Sequence, residues 1–135
     1  MGAANFALEI DCTNQTGAAW QGVIYRTTAW SNSFGSYAYA AMFIPASGGI
    51  SLELFRGVNN TSGGTETSLA SILISGPTVG TFRMRIEVNG TLHRVFINGI
   101  QRISVTDTNF TGAGQFALYS TGATSVFFDN LRIDY

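Results

Sequence analysis

Lysine is absent from this chain, and all seven of its cations are arginine; genome composition accounts for that as readily as any adaptive cause. Charge of either sign is scarce. Charged residues make up 11% and the formal net charge is −1, so the chain has no electrostatic footprint for DNA or RNA, whose binding depends on neutralising phosphates. Nucleic acid is not expected as a partner. The one cysteine, Cys12, cannot form an internal disulfide, and its alternation with Phe6, Leu8 and Ile10 makes it a core thiol. The single histidine, His93, excludes a histidine-based metal site or paired-histidine catalysis within one chain. No apolar run approaches the length of a membrane helix, so membrane insertion is not expected. The N-terminus lacks the basic and apolar regions of a signal peptide, so an exported form would have lost its leader or left by another route, such as lysis. Helical periodicity is missing too: no useful window carries apolar residues at i, i+3, i+4 and i+7.

What is present is apolar alternation punctuated by turns. Hydrophobic residues make up 45% of 135 residues, enough for one domain over residues 1–135, one that buries roughly 68% of its unfolded surface without a disulfide or metal. Phe6 to Cys12, Trp20 to Arg26, Tyr37 to Ile44, Ile50 to Arg56 and Thr67 to Ile74 read as successive strands, separated by Gly-, Ser-, Asn- and Pro-rich loops. Gln115 to Ser120 and Ser125 to Tyr135 read as the last two. Short strands at this spacing predict an all-β sandwich or barrel.

The chain is organised around Thr81 to Asp107, three antiparallel strands joined at Asn89-Gly90 and Asn98-Gly99. Asn-Gly between alternating apolar residues favours a tight hairpin, because both residues tolerate positive φ. Phe82, Met84, Ile86 and Val88 share one face, and Arg83, Arg85 and Glu87 the other. A two-residue turn centred on Asn89-Gly90 would set Ile86 opposite His93, Met84 opposite Val95 and Arg85 opposite Arg94. Parity at the second turn demands an extra residue, through a bulge or a three-residue loop, to set Val95 opposite Ile103 and His93 opposite Val105. The middle strand is apolar on both faces and belongs inside a sheet.

A strand ending VNG, one ending INGI, then ISVTDTNFTGAGQFALYS and a closing VFFDNLRI, with WQGVIYR and a Tyr-Ala-Tyr strand earlier, resemble the concanavalin A-like lectin/glucanase superfamily, in particular laminin-G-like jelly-roll modules. The resemblance implies two curved antiparallel sheets and sugar binding on the concave face or at one rim, with calcium in some members. It also implies an outer-surface setting, extracellular or on a virion. Many relatives carry a further strand or two before the segment matched by Phe6 to Cys12, whereas five residues precede Phe6 here. An open edge there is a template for another subunit, so a homo-oligomer is an expectation.

Trp30, Phe34, Tyr37 and Tyr39, with Asn32, Ser33 and Ser36, form the first candidate ligand-binding cluster. Aromatic rings pack on the C–H faces of sugars; the alternative is that these rings plug the end of the sandwich. Arg85 and Arg94 form the second candidate: if opposed, they need an anion or a carboxylate between them, from an acidic sugar, a partner, or Glu53 and Glu87 of the chain itself. Asp107, Asn109 and Asp129 are weak metal candidates, since nothing matches a dense calcium loop, and no cofactor is expected. Asp129 shares the parity of Phe127, Leu131 and Ile133 and is expected to accept backbone hydrogen bonds at a strand boundary.

Glucanases of the superfamily carry closely spaced acids on one strand, whereas Glu53 stands alone in SLELFR and Glu87 alone in RIEV. The chain therefore reads as non-catalytic. Two functions follow: a displayed module that binds glycans, or a structural assembly protein, such as a phage capsid decoration or tail subunit, that contacts neighbouring subunits instead.

Overall fold

A computed structural model describes residues 4–27, 37–58, 65–121 and 126–135, with only the backbone of Tyr37, Val58 and Thr65. Alternation builds the first layer. Along β1 (Phe6–Asn14) every second residue is buried, which turns Phe6, Leu8, Ile10 and Cys12 inward and Ala7, Glu9 and Asp11 outward. The same period runs through β6 (Gly80–Asn89), β7 (Leu92–Ile97) and β8 (Ile100–Thr106), which contribute Met84, Ile86, Val88, Val95, Ile97 and Ile103 to the core. With β10 (Val126–Asp134) they form an antiparallel sheet in the order β10-β1-β6-β7-β8, here called sheet A.

Sheet B has the order β5-β4-β3-β2-β9, from β2 (Gln21–Thr27), β3 (Tyr37–Ala46), β4 (Gly49–Val58), β5 (Thr65–Ser75) and β9 (Gln115–Ser120). Its inward residues, among them Val23, Tyr25, Tyr39, Ala41, Phe43, Leu52 and Leu54, meet those of sheet A in one apolar core. Such face-to-face layers sit about 10 Å apart. Cys12 lies in that core, and burial pushes its thiol up to about 12.

The central meander follows its predicted parity with one shift. The second hairpin closes tightly at Asn98-Gly99, both at positive φ (50° and 80°). A bulge then restores the pairs Val95↔Ile103 and His93↔Val105, as parity demanded. The first hairpin departs from expectation: its loop is Gly90-Thr91, so Val88 faces His93 and Ile86 faces Val95. Gly90 supplies the positive φ (58°) at the first central position, which a type II′ turn gives to glycine. The shift is two residues, so every face is preserved, but Arg94 now stands opposite Glu87 and Arg85 opposite Phe96.

Two further expectations are corrected. No open edge lies beside β1, because β10 and β6 pair with it on either side; β7 is interior, as expected. Parity along the last strand also breaks: a bulge opposite Ile10 and the positive φ of Asn130 (54°) bring Phe128 and Ile133, not Phe127 and Leu131, toward the core.

Candidate functional site

Where β2, β3, β4, β7 and the end of β8 meet, the core turns polar. Arg26, in a bulge at positive φ (53°), is 2% exposed. Its Nη1 donates to the Phe110 carbonyl (2.7 Å), and its Nη2 to the carbonyls of Gly90 (2.8 Å) and Ala4. One guanidinium thus ties together the start of the chain, the first hairpin turn and the loop after β8. Burial lowers its pKa.

Asp107 is the anion of this cluster. It accepts from the Tyr39 hydroxyl (2.7 Å) and from both the backbone N–H and Nδ2 of Asn109 (3.0 Å each), and it pairs with Arg56. Burial alone would raise its carboxyl, yet these hydrogen bonds and the Arg56 charge bring it down to about 2. His93 Nδ1 and the Tyr25 hydroxyl share a hydrogen bond of 2.9 Å, and the histidine ring lies 4.3 Å from that of Tyr39. Burial, aided by the Arg26 charge, holds His93 down to about 4 and so keeps it neutral. This cluster binds the protein to itself.

Tyr39 therefore leaves the list of ligand-binding residues. It is fully buried, stacks on Tyr25, meets Phe110 edge-on and spends its hydroxyl on Asp107, which is the plugging role foreseen as the alternative. Trp30, Asn32 and Phe34, with Ser33 and Ser36, lie outside the described residues, and Tyr37 is described only as backbone paired with Val58. The weak metal candidates do not converge. Asp107 and Asn109 follow β8, and Asp129 lies on β10 at the opposite edge of sheet A. Asp129 is exposed inside its strand and accepts from the N–H of Asn130 (2.7 Å). Among the described residues no group of three or more His, Cys, Asp or Glu is placed to hold a metal ion.

On the outer face of sheet A the arginines meet carboxylates of the chain. Arg83 grips Asp11 through Nε (2.7 Å) and Nη2 (2.9 Å), and with Asn130 it holds that carboxyl down to about 2. Arg85 pairs with Glu87 (2.9 Å) and approaches Glu9 (3.9 Å), and Arg94 lies 3.7 Å from Glu87. The expected opposition of Arg85 and Arg94 does not occur, because the register shift puts glutamate between them. Exposed pairs of this kind contribute about 0–1 kcal/mol each.

Beyond this ladder the same face carries a groove of about 390 Å³. Ala7 pairs with Asp134 on one side and Glu87 on the other, and Glu87 with Arg94, so one row of side chains crosses four strands with a methyl group in the midst of longer neighbours. Leu92 and the exposed Tyr135 also line the opening.

The outer face of sheet B is a different surface, which the sequence reading missed. Ile24, Ala38, Ala40, Met42 and Ala117 are buried there and flanked by Ile44, Phe55 and Tyr119. The signal was available: WQGVIYR and YAYAAMFI are apolar in both parities, as in strands covered on both faces. Beside this patch Ser51 donates to Glu53 (3.1 Å) and contacts Ser71 (3.1 Å).

Two five-stranded antiparallel sheets with these crossings make a jelly-roll sandwich. Among solved structures the chain is similar to the carbohydrate-binding module CBM66 of Bacillus subtilis, with a TM-score of 0.79 at 18% identity over 99% of this chain and 76% of that one. It is also similar to sheep galectin-11 in complex with glycerol, with a TM-score of 0.65 at 8% identity over 98% of this chain and 92% of the galectin. A GH43 protein of Bacillus licheniformis, BlXynB, aligns with a TM-score of 0.63 at 10% identity over 96% of this chain but 27% of its own. No protein-family model matches the chain, and no curated protein matches it in sequence.

Proposed function

We propose that this chain is a non-catalytic module that binds glycans and is displayed outside the cell or on a virion surface. The observation that carries the reading is the likeness to a carbohydrate-binding module along 99% of the chain. The non-catalytic part rests on chemistry. Glycoside hydrolysis needs two carboxyl groups about 5 to 10 Å apart across a sugar. Asp107 is engaged by Tyr39, Asn109 and Arg56, and on the outer face of sheet A Glu9, Asp11, Glu87 and Asp134 are each paired with an arginine. The GH43 neighbour shares only 27% of its length with this fold, which leaves most of that protein without a counterpart here.

Glycan-array binding of the intact protein, with reducing-sugar release measured on every positive glycan, tests both parts. Binding without release is the expected result. Trp30→Ala should weaken binding about tenfold if the segment from Trp30 to Tyr37 contributes a stacking ring. A protein that is silent on the array and elutes as a trimer or polymer in light scattering would instead be a structural subunit.

A further inference from the structure

We infer that the groove on the outer face of sheet A is a binding site for a neutral saccharide of one or two rings. The inference rests on the glycan reading and gives it a site lined by residues other than those from Trp30 to Tyr37.

Ala7 is a small side chain set among long ones. A strand presents its outward side chains in rows across the sheet, and the row at Ala7 reads Asp134, Ala7, Glu87, Arg94. Four strands at about 4.8 Å spacing make that row about 14 Å wide. A methyl group between two acids leaves a depression, and its volume of about 390 Å³ falls at the small end of the range for ligand pockets, about 300–1,000 Å³. The depression is built on paired strands, so the backbone positions of Glu87, Arg94 and Asp134 are fixed before a ligand arrives.

The lining has the chemistry of sugar recognition. Carboxylate, guanidinium and amide groups are planar and offer paired acceptors or donors, which suit adjacent hydroxyls. Glu87, Asp134, Arg94 and the amide of Asn89 supply them at one opening. Leu92 and the ring of Tyr135, 74% exposed, supply the apolar wall for a C–H face. A large ring so exposed beside a depression is available to a ligand at little conformational cost.

Charge decides which sugar. Glu87 lies against Arg85 (2.9 Å) and Arg94 (3.7 Å), and Asp134 accepts from Arg132 Nε (3.1 Å). Arg94, the arginine lining the groove, already faces Glu87, so a ligand carboxylate would meet Glu87 and Asp134 with no unpaired arginine among the described lining residues. A neutral ring pays no such penalty.

The test uses lactose, maltose and cellobiose as neutral probes and sialyllactose as the acidic one, followed by amide chemical shifts of the intact protein. Binding by a neutral disaccharide should move the resonances of Ala7, Glu87, Leu92 and Arg94, with sialyllactose no tighter than lactose. Ala7→Leu fills the depression from an outward strand position, and Tyr135→Ala removes an exposed ring, so neither threatens folding. Each should weaken binding about tenfold. Array-positive protein whose groove resonances stay still, and whose two variants keep the array signal, overturns the groove and leaves the glycan reading standing. Groove binding restricted to sialyllactose overturns the assignment to neutral sugars. Wild-type protein that binds no glycan removes both.

Discussion

His93 is fully buried, neutral and hydrogen-bonded through Nδ1 to Tyr25, while its Nε2 has no partner among the described residues. Its pKa falls from the ordinary 6.5 to about 4, chiefly through burial. Below pH 6.5 the unfolded chain takes up a proton that the folded chain refuses, so stability is complete above 6.5 and drains away as pH falls toward 4. The full difference is on the order of 3 kcal/mol, from 1.36 kcal/mol for each pH unit. Asp107 works in a lower window: its folded value of about 2 lies under the ordinary 3.8, so its contribution is complete above 3.8 and is lost as pH drops through 2. Urea denaturation at pH 7.5, 5.5 and 4.5 should therefore isolate the histidine. The wild type should weaken steadily across these points, and His93→Gln, which keeps a partner for Tyr25 but cannot titrate, should flatten the decline. A variant with the wild-type slope would move the pH dependence to some other group.

At the scale of the strands, the β7–β8 hairpin shows how one side chain fixes a register. Asn98 accepts the left-handed φ of its turn, donates its N–H to the Arg83 carbonyl (2.8 Å), and accepts the Arg83 N–H on its own side-chain oxygen (2.9 Å). Replacing it with alanine adds φ strain of about 1–2 kcal/mol to the loss of an acceptor worth about 1 kcal/mol. Asn98→Gly loses only the acceptor. Chemical denaturation should rank wild type above Asn98→Gly above Asn98→Ala, and equal losses in the two variants would show that backbone strain contributes nothing. This hairpin was legible in the sequence because parity is a strict test: a one-residue slip would have turned Ile103 and Val105 outward. The other hairpin was half legible. Parity kept its faces, but parity cannot see a slip of two, and the slip carried Arg94 from Arg85 to Glu87. Tyr39 was misread for a related reason. Alternation makes it an inward residue with Ala41 and Phe43, yet its nearness in sequence to Trp30, Phe34 and Tyr37 put it in the candidate ligand-binding cluster. The groove was illegible, because it depends on three strands placing Asp134, Glu87 and Arg94 beside a small residue from a distant part of the chain.

For the whole molecule, the decisive fact is how the chain shares itself between layers. Sheet A takes its first strand from the start of the sequence, three from the middle and one from the end; sheet B takes β2 to β5 and then β9. Neither sheet is a continuous segment, and both contribute inward residues to the same core, with Ile10, Met84 and Val95 on one side and Tyr25, Leu52 and Phe43 on the other. Loss of either layer would expose the apolar face of the other, so no intermediate with one sheet formed has a buried core to stabilise it. The buried polar cluster adds to this coupling, since Arg26 of sheet B reaches the hairpin turn of sheet A at Gly90. The expected result is one cooperative unfolding transition for residues 1–135, behaving as a single domain. Far-ultraviolet circular dichroism and aromatic fluorescence should give coincident urea curves, and the calorimetric and van't Hoff enthalpies should agree. Because β1 must find β10 and β2 must find β9 from opposite ends of the chain, refolding should take about milliseconds to seconds, not microseconds. Two separated transitions, with one sheet melting before the other, would mean that the layers are stabilised independently and that the shared core contributes less than its burial implies.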